Sequence, residues 1–492
     1  MTELKSSTSR SLALLTDMYQ LTMAYGYWRL GRADQQATFH LYFRQLPFGG
    51  GYAIAAGLEP ALEYLENLRF DDSDLGYLAT LTGHDGQSLF EPDFLDYLSN
   101  MRFSCDVDAI REGSVVFPNQ PILRVTGPIL QCQLVETPLL NLVNFQTLIA
   151  TRAARICEAA GDDAVLEFGL RRAHGTDGGL SASRAAYVGG CAATSNLLAG
   201  KRYGIPVRGT HAHSWVMCFD SELEAFRGYA EVMPNNCVLL VDTYDTMSGI
   251  RHAITVANEL RAAGKRLLGV RLDSGDLAWL SKQARKMLDE AGFQDVTIAA
   301  SNDLDETIIE SLKQQGSEIE TWGVGTRLVT AFDQPALGGV FKLSAIQGES
   351  GEWIPRVKLS EQTIKTSNPG QLGVRRYRRD GQAVADMIYD QLQGEPDDTI
   401  VDPLDATRRR RLEDDLEVEE LVHSVMTGGQ RTAPAECLET IRDRAGTQLA
   451  EFHGGIRRRV NPHSYPVGLD KKLFDLKTRL ILEARGFGDS SA

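Results

Sequence analysis

Basic residues are in short supply. Lys and Arg number 51 against 66 Asp and Glu, a formal net charge of -15. That balance excludes duplex nucleic acid as the main partner, because a phosphate backbone demands concentrated cationic side chains. A small anionic substrate is not excluded, since it needs only a local basic pocket. No apolar run is long enough to span a bilayer, and the opening MTELKSSTSRSL leads into no apolar signal core. We therefore expect neither a membrane protein nor a secreted one. The seven cysteines are odd in number and lack CxxC spacing. Several lie in apolar segments, where a buried thiol is the ordinary outcome, so the cytoplasm is the expected compartment. No GxxxxGK[ST] phosphate loop occurs, and no stretch makes a convincing dinucleotide fingerprint. Histidines number nine, yet two stand together in GTHAHSW, at 211 and 213.

What is present describes an ordinary globular chain, 43% hydrophobic and 24% charged. Its length of 492 residues supports two or three cores. Residues 1–136 read as a mixed α/β region. Within it, 53–67 has an amphipathic helical pattern, and 105–131 has strand-like runs punctuated by Gly and Pro. From 137 to 346 apolar strand candidates alternate with helical stretches: 164–168, 205–210, 238–243, 267–274, 296–301, 321–326 and 339–346. This rhythm predicts parallel α/β architecture, and seven candidates favour a barrel over an open sheet. Residues 347–492 lose the rhythm. Their TRRRRLEDDLEVEELVHSV turns from basic to acidic and reads as an internally paired, solvated face.

Each strand candidate stops at polar or glycine-rich residues. The endings are Glu167 with Arg171, Thr210 with His213, Asp242 with Thr243, Arg271 with Asp273, Ser301 with Asn302, and Gly325 with Thr326. In a barrel such ends converge on one mouth, where active sites are built. In GVRLDSGDL, the Arg271 fork suits a carboxylate or phosphate. Asp273 suits a sugar diol or a magnesium-bound water, and Asp276 suits a helix cap. In WGVGTRLVT, two glycines and Thr326 allow either a phosphate cradle or a tight turn. Phe168 and Arg171 offer an aromatic face and a guanidinium, or a core residue and a surface charge. His211 and His213 permit two readings. An HxH pair at a strand end suits zinc, although few further histidines follow to complete the site. At a phosphate-rich mouth, a neutral imidazole accepts a phosphoryl group or donates to pyrophosphate.

A set of ordered stretches resembles the nicotinate phosphoribosyltransferase family: LLTDMYQLTMAYGYW, FRQLPFGGGYAIAAGL, the segment from EFGLRRAHGTDGG to GTHAHSW, VRLDSGDL, ASNDLDE, GVGT and LGGVFKL. They run from residue 12 to about 370. The resemblance implies an irregular seven-stranded α/β barrel with an accessory α/β domain built from the N-terminal and C-terminal regions. It implies synthesis of nicotinate mononucleotide and pyrophosphate from nicotinate and 5-phosphoribosyl 1-pyrophosphate, with coupled ATP hydrolysis and Mg²⁺, in a cytoplasmic homodimer.

By the same resemblance, His213 is the phosphorylated histidine and His211 only its neighbour. Tyr19, from the other subunit, and Phe168 sandwich the pyridine ring. Arg171 and Thr210 hold the substrate, and Arg271 meets its carboxylate or the nucleotide phosphate. Asp273 orients the ribose hydroxyls, with Ser301 and Asn302 among the substrate-binding residues. Gly325 and Thr326 take the 5'-phosphate, and Ser367 stands near the phosphoribosyl group. The alternatives are the nicotinamide-specific relative, an HxH metallohydrolase and a non-catalytic scaffold.

Overall fold

Short apolar strands alternate with capped helices through the middle of the chain, as the spacing predicts. The computed structural model describes residues 12–362 and 365–487. They divide into two compact units. The first takes the chain up to Thr147, Leu337–Cys437 and the chain from Thr447 onward, and the second takes Leu148–Ala336 and Leu438–Gly446.

The second unit is built on a six-stranded sheet. Its order is Ala193–Thr194, Ala164–Glu167, Thr321–Val324, Thr297–Ser301, Gly269–Leu272 and Val238–Leu240. Every pair in it is parallel. A single parallel bridge from Thr194 to Val207 adds a seventh segment beside Ala193–Thr194. Helices return the chain between strands, and their starts are chemically marked. Ser221, Asp245, Asp276 and Asp305 each accept a backbone N–H of the helix they precede, which satisfies donors that have no partner inside the helix. Asp276 is thus the cap its sequence position predicts.

The expected strand 205–210 is reduced to the single bridge at Val207, one further expectation changes, and one strand was not expected. The stretch 339–346 does not join the parallel sheet. It forms Gly339–Gln347, which pairs antiparallel with Gln36–Phe43 in the first unit. A parallel strand covered on both faces is almost wholly apolar, and Lys342 and Ser344 break that pattern. Its place is taken by Ala193–Thr194, a strand of two residues and too short to leave a periodicity.

His211 joins the two ends of the parallel ladder. It lies just beyond the bridged Val207, and its Nε2 accepts the backbone N–H of Leu240, in the strand at the opposite edge, at 3.2 Å. Nδ1 faces the Ala212 carbonyl at 3.3 Å, and the ring meets Tyr229 edge-on. The imidazole is therefore neutral with its proton on Nδ1. Burial pushes its pKa down to about 4.

The first unit combines early and late sequence. Its seven-stranded antiparallel sheet runs Trp353–Pro355, Gly339–Gln347, Gln36–Phe43, Leu123–Pro128, Asp106–Ile110, Val422–Thr427 and Gln430–Arg431. A second, six-stranded sheet contains Leu372–Arg379, Gln382–Asp390 and Val467–Asp470. Between these segments lies a fully buried ion pair, Arg376 with Asp386 at 2.7 Å. Asp386 also accepts from Gln120 Nε2 at 2.7 Å and Tyr465 Oη at 2.9 Å. Arg376 donates to the Val115 carbonyl at 2.8 Å and lies 5.0 Å from the Phe452 ring centre. With so many partners, the pair meets the condition under which burying charge is tolerated.

The basic-to-acidic run is largely exposed as expected, but it pairs outward rather than within itself: Arg411 meets Asp398 at 2.6 Å, and Glu419 meets Arg378 of another strand at 2.6 Å. All seven cysteines are free. No helix among the described residues is long and apolar enough to cross a membrane.

Two outcomes are expected. Arg376→Met should cost about 3–5 kcal/mol by leaving Asp386 buried without its counter-charge, and Arg376→Met with Asp386→Leu should recover part of that in denaturant unfolding. His211 has a folded pKa below its ordinary 6.5, so its contribution is complete above that value and is lost as pH falls through about 4. Unfolding free energy between pH 7 and 4.5 should therefore fall less steeply in His211→Gln than in the unmodified protein.

Candidate functional site

Parallel pairing delivers the C-terminal ends of all six strands to one edge of the second unit. The residues gathered there fix one another. Asp242, following Val238–Leu240, accepts the backbone N–H of Asp273 at 2.8 Å and Ser274 Oγ at 2.7 Å through one oxygen. Its other oxygen, Oδ1, is buried with no hydrogen-bond partner. Asp273, held in this way past the end of Gly269–Leu272, accepts a hydrogen bond from Ser301 Oγ. Its Oδ2 lies 3.7 Å from His213 Nε2. His213 Nδ1 meets Thr243 Oγ1 at 3.2 Å. One ring nitrogen is thus engaged by a hydroxyl while the other faces a carboxylate.

The two histidines separate cleanly. Both nitrogens of His211 are occupied by backbone groups, whereas His213 is half-exposed at the strand exits. An HxH metal pair needs both rings turned to one ion, and His211 is turned to the Leu240 amide instead. Among the described residues no three His, Cys, Asp or Glu side chains converge as a metal site.

Arg271 donates through Nη1 to Thr210 Oγ1 at 2.5 Å, while its Nε is buried without a partner. Burial works against its charge, Asp273 and Asp242 favour it, and nearby Arg171 opposes it. Two guanidiniums close enough to repel are a suitable setting for an anion. Ser301 is buried and Asn302 exposed, and Asn302 and Asp303 both hold left-handed backbone, φ 105° and 42°.

Phe168 leaves its strand with its N–H on the Val324 carbonyl at 2.8 Å. Its ring lies over Gly323, where an added Cβ would come within 2.8 Å of Phe168 Cδ2. Gly325 follows, and Thr326 Oγ1 accepts from Arg172 Nη1 at 3.4 Å. Glu167 is buried behind this turn.

Tyr19 and Ser367 belong to the first unit, apart from the other expected residues. There electrostatic interactions, one ion pair and one hydrogen bond surround them. Burial raises the Tyr19 pKa, and the Glu136 charge adds to the rise. Glu136 lies 3.8 Å from Lys342 Nζ. Burial pulls the Lys342 pKa down, with Arg44 and Lys358 pushing the same way and Glu136 opposing. Ser367 Oγ accepts the Lys358 backbone N–H at 2.9 Å. Arg44, Glu136 and Lys358 were not singled out in the sequence. Arg44 lies within a resembling stretch, but Lys358 sits in an irregular segment with no period to mark it.

Comparison with known proteins places this chain in a family. The nicotinate phosphoribosyltransferase N-terminal domain model matches residues 14–144, the family model 164–373 and the C-terminal domain model 372–477. A nicotinate phosphoribosyltransferase of Bacillus subtilis is 52% identical over 369 residues, 74% of this chain and 73% of that protein. One from Dictyostelium discoideum is 39% identical over 96% of this chain and 88% of its own. The crystal structure of human nicotinic acid phosphoribosyltransferase superposes with a TM-score of 0.83 at 34% identity, covering 94% of this chain and 99% of that one. A nicotinate-nucleotide pyrophosphorylase from Pyrococcus furiosus shares the fold, with a TM-score of 0.69 at 20% identity over 89% and 95% of the two chains. Three models matched along the chain, and relatives aligned over almost all of it, leave one assignment: this chain belongs to the nicotinate phosphoribosyltransferase family.

Proposed function

We propose that the chain forms nicotinate mononucleotide and pyrophosphate from nicotinate and 5-phosphoribosyl 1-pyrophosphate in NAD biosynthesis, with ATP hydrolysis coupled through phosphorylation of His213. The observation that carries this reading is the linked set Thr243–His213–Asp273–Ser301 with Asp242 behind it. A half-exposed imidazole, oriented by a hydroxyl and facing a carboxylate, suits phosphoryl acceptance. The same carboxylate suits the ribose hydroxyls. Arg171 beside Arg271 favours a substrate carboxylate over an uncharged amide, which supports nicotinate over nicotinamide.

In this mechanism the pyridine nitrogen attacks C1 of the ribose as pyrophosphate leaves. The chain aligns the two reactants and balances charge as an oxocarbenium-like sugar forms. Phe168 and the partner's Tyr19 hold the pyridine ring, and Gly325 and Thr326 receive the 5'-phosphate. In the first unit, Arg44 and Lys358 bear electrostatically on Lys342, and Ser367 keeps the phosphoribosyl role that the family resemblance implies. Mg²⁺ fits the donor set, because Asp242 Oδ1 is a buried oxygen without a donor and Asp273 stands next to it. Those two carboxylates would hold the ion, with substrate oxygens and water completing its shell. When bound, it neutralises charge on the departing pyrophosphate.

A closed, irregular seven-stranded barrel is the architecture we propose around this mouth. The bridge at Val207 and the His211–Leu240 bond support closure of the ladder. A homodimer is supported by large apolar side chains left exposed, among them Leu15, Met18, Tyr19 and Met23 early in the chain and Met217, Tyr244 and Phe332 in the second unit. Free cysteines throughout agree with a cytoplasmic setting.

Two measurements test the reading. Nicotinate mononucleotide formation, followed by mass, should be stimulated by ATP in the unmodified protein and lose that stimulation in His213→Ala while a slower ATP-independent reaction persists. Undiminished stimulation in His213→Ala would remove the phosphohistidine from the mechanism. Asp273→Asn should raise KM for 5-phosphoribosyl 1-pyrophosphate about tenfold by weakening charge-assisted bonds to the ribose. Product from nicotinamide alone would overturn the choice of base.

A further inference from the structure

Phe168 is the first residue past its strand, and nothing about its own backbone fixes where an aromatic ring will lie. Two neighbours do. Glu167 is buried, 1% exposed, and its carboxylate collects three donors. Oε1 accepts the backbone N–H of Gly169, immediately after Phe168. Oε2 accepts Ser183 Oγ at 2.8 Å, from the helix Gly175–Val188, and Thr194 Oγ1 at 2.6 Å, from the adjoining strand. The residues on either side of Phe168 are thereby tied together and anchored to two other elements. Beneath the ring lies Gly323, in the neighbouring strand Thr321–Val324. A Cβ there would approach Phe168 Cδ2 to 2.8 Å, Cε2 to 3.0 Å and Ser301 Cβ to 3.4 Å. The first distance is too short for a methyl group and the second is tight, so the ring keeps this place because residue 323 has no side chain.

The geometry points to Glu167 and Gly323 as positioning residues that set the height and tilt of the Phe168 ring and so the fit of the nicotinate ring against it. Neither touches substrate. Glu167 acts through the Gly169 amide, and Gly323 acts by leaving room. The inference rests on the proposed role of Phe168 as a stacking face. A stacked pair gains most at offset or edge-on geometries with closely set centroids, so a displaced ring loses affinity for the base without touching the ribose or phosphate contacts.

The carboxylate also predicts its own rescue. In Glu167→Gln the amide oxygen keeps the Gly169 N–H, and the amide nitrogen faces two hydroxyls that can turn to accept. Ser183 Oγ already has the Gly179 carbonyl at 2.9 Å as another acceptor for its proton. Glu167→Ala offers no such substitute.

The test measures KM for nicotinate and for 5-phosphoribosyl 1-pyrophosphate in Glu167→Ala, Glu167→Gln, Gly323→Ala, Phe168→Leu and the Glu167→Ala/Phe168→Leu double variant. Glu167→Ala and Gly323→Ala should each raise KM for nicotinate about five- to tenfold, the scale of one aromatic contact, with KM for the second substrate unchanged. Glu167→Gln should stay within about twofold, and the double variant should be no worse than Phe168→Leu alone. Should Glu167→Ala not fold, Gly323→Ala reads the same ring from the other side. An equal rise in both KM values, or no rise in a folded Gly323→Ala while Phe168→Leu is impaired, would overturn the inference. An unimpaired Phe168→Leu would instead overturn the stacking role on which it rests.

Discussion

Parallel strand pairing is the constraint from which the second unit's chemistry follows. Because each strand of the six-stranded sheet runs the same way, residues separate in sequence, such as Asp242, Asp273 and Ser301, arrive at one edge. The hydrogen bonds among them then do what the strands cannot. They set individual oxygen atoms, as Asp242 does when it holds the Asp273 amide and the Ser274 hydroxyl together. Backbone pairing supplies coarse convergence, and side-chain bonds to backbone supply the final placement. His211 belongs to the first class of work, although it is a side chain, because it stands in for a backbone acceptor where the ladder has run out of strands.

Charge is handled locally. A chain with a net charge of -15 keeps Arg44, Lys342 and Lys358 within reach of one another and tempers them with a single carboxylate, Glu136. In the second unit the order is reversed, and Arg271 and Arg171 sit among Asp242 and Asp273. In each unit burial is what works most strongly against these cations, and the neighbouring carboxylates oppose it.

How much of this was legible in the letters follows from what leaves a pattern. Strands Gly269–Leu272, Thr297–Ser301 and Thr321–Val324 announced themselves as apolar runs ending in polar residues, and their exits held the expected side chains. The count of seven segments was reached with one wrong member. Gly339–Gln347 is apolar enough to imitate a buried strand, yet its partner is Gln36–Phe43, whose distance in sequence no local period can express. Ala193–Thr194 was invisible because two residues carry no alternation. The roles of His211 and His213 could not be divided by spacing, since the division is made by Leu240 and Thr243, on another strand and its exit. Glu167 was visible only as a polar ending. That it faces inward, to Ser183 and Thr194, depends on elements that follow it in the chain.

The buried Arg376–Asp386 pair has a consequence for how the chain comes to be folded. Its partners Val115 and Gln120 precede it by more than two hundred residues, with Gln120 and Asp386 separated by 266 positions. The middle sheet, by contrast, draws all its strands from 164–324. During synthesis the later-closing unit must therefore wait, with Gln36–Phe43 lacking its partner strand Gly339–Gln347 until the whole parallel sheet has left the ribosome. An unpaired strand edge held open for that long is an invitation to mispairing. The early strands of this protein thus stand longest without their final partners during synthesis, even though nothing in their final positions sets them apart.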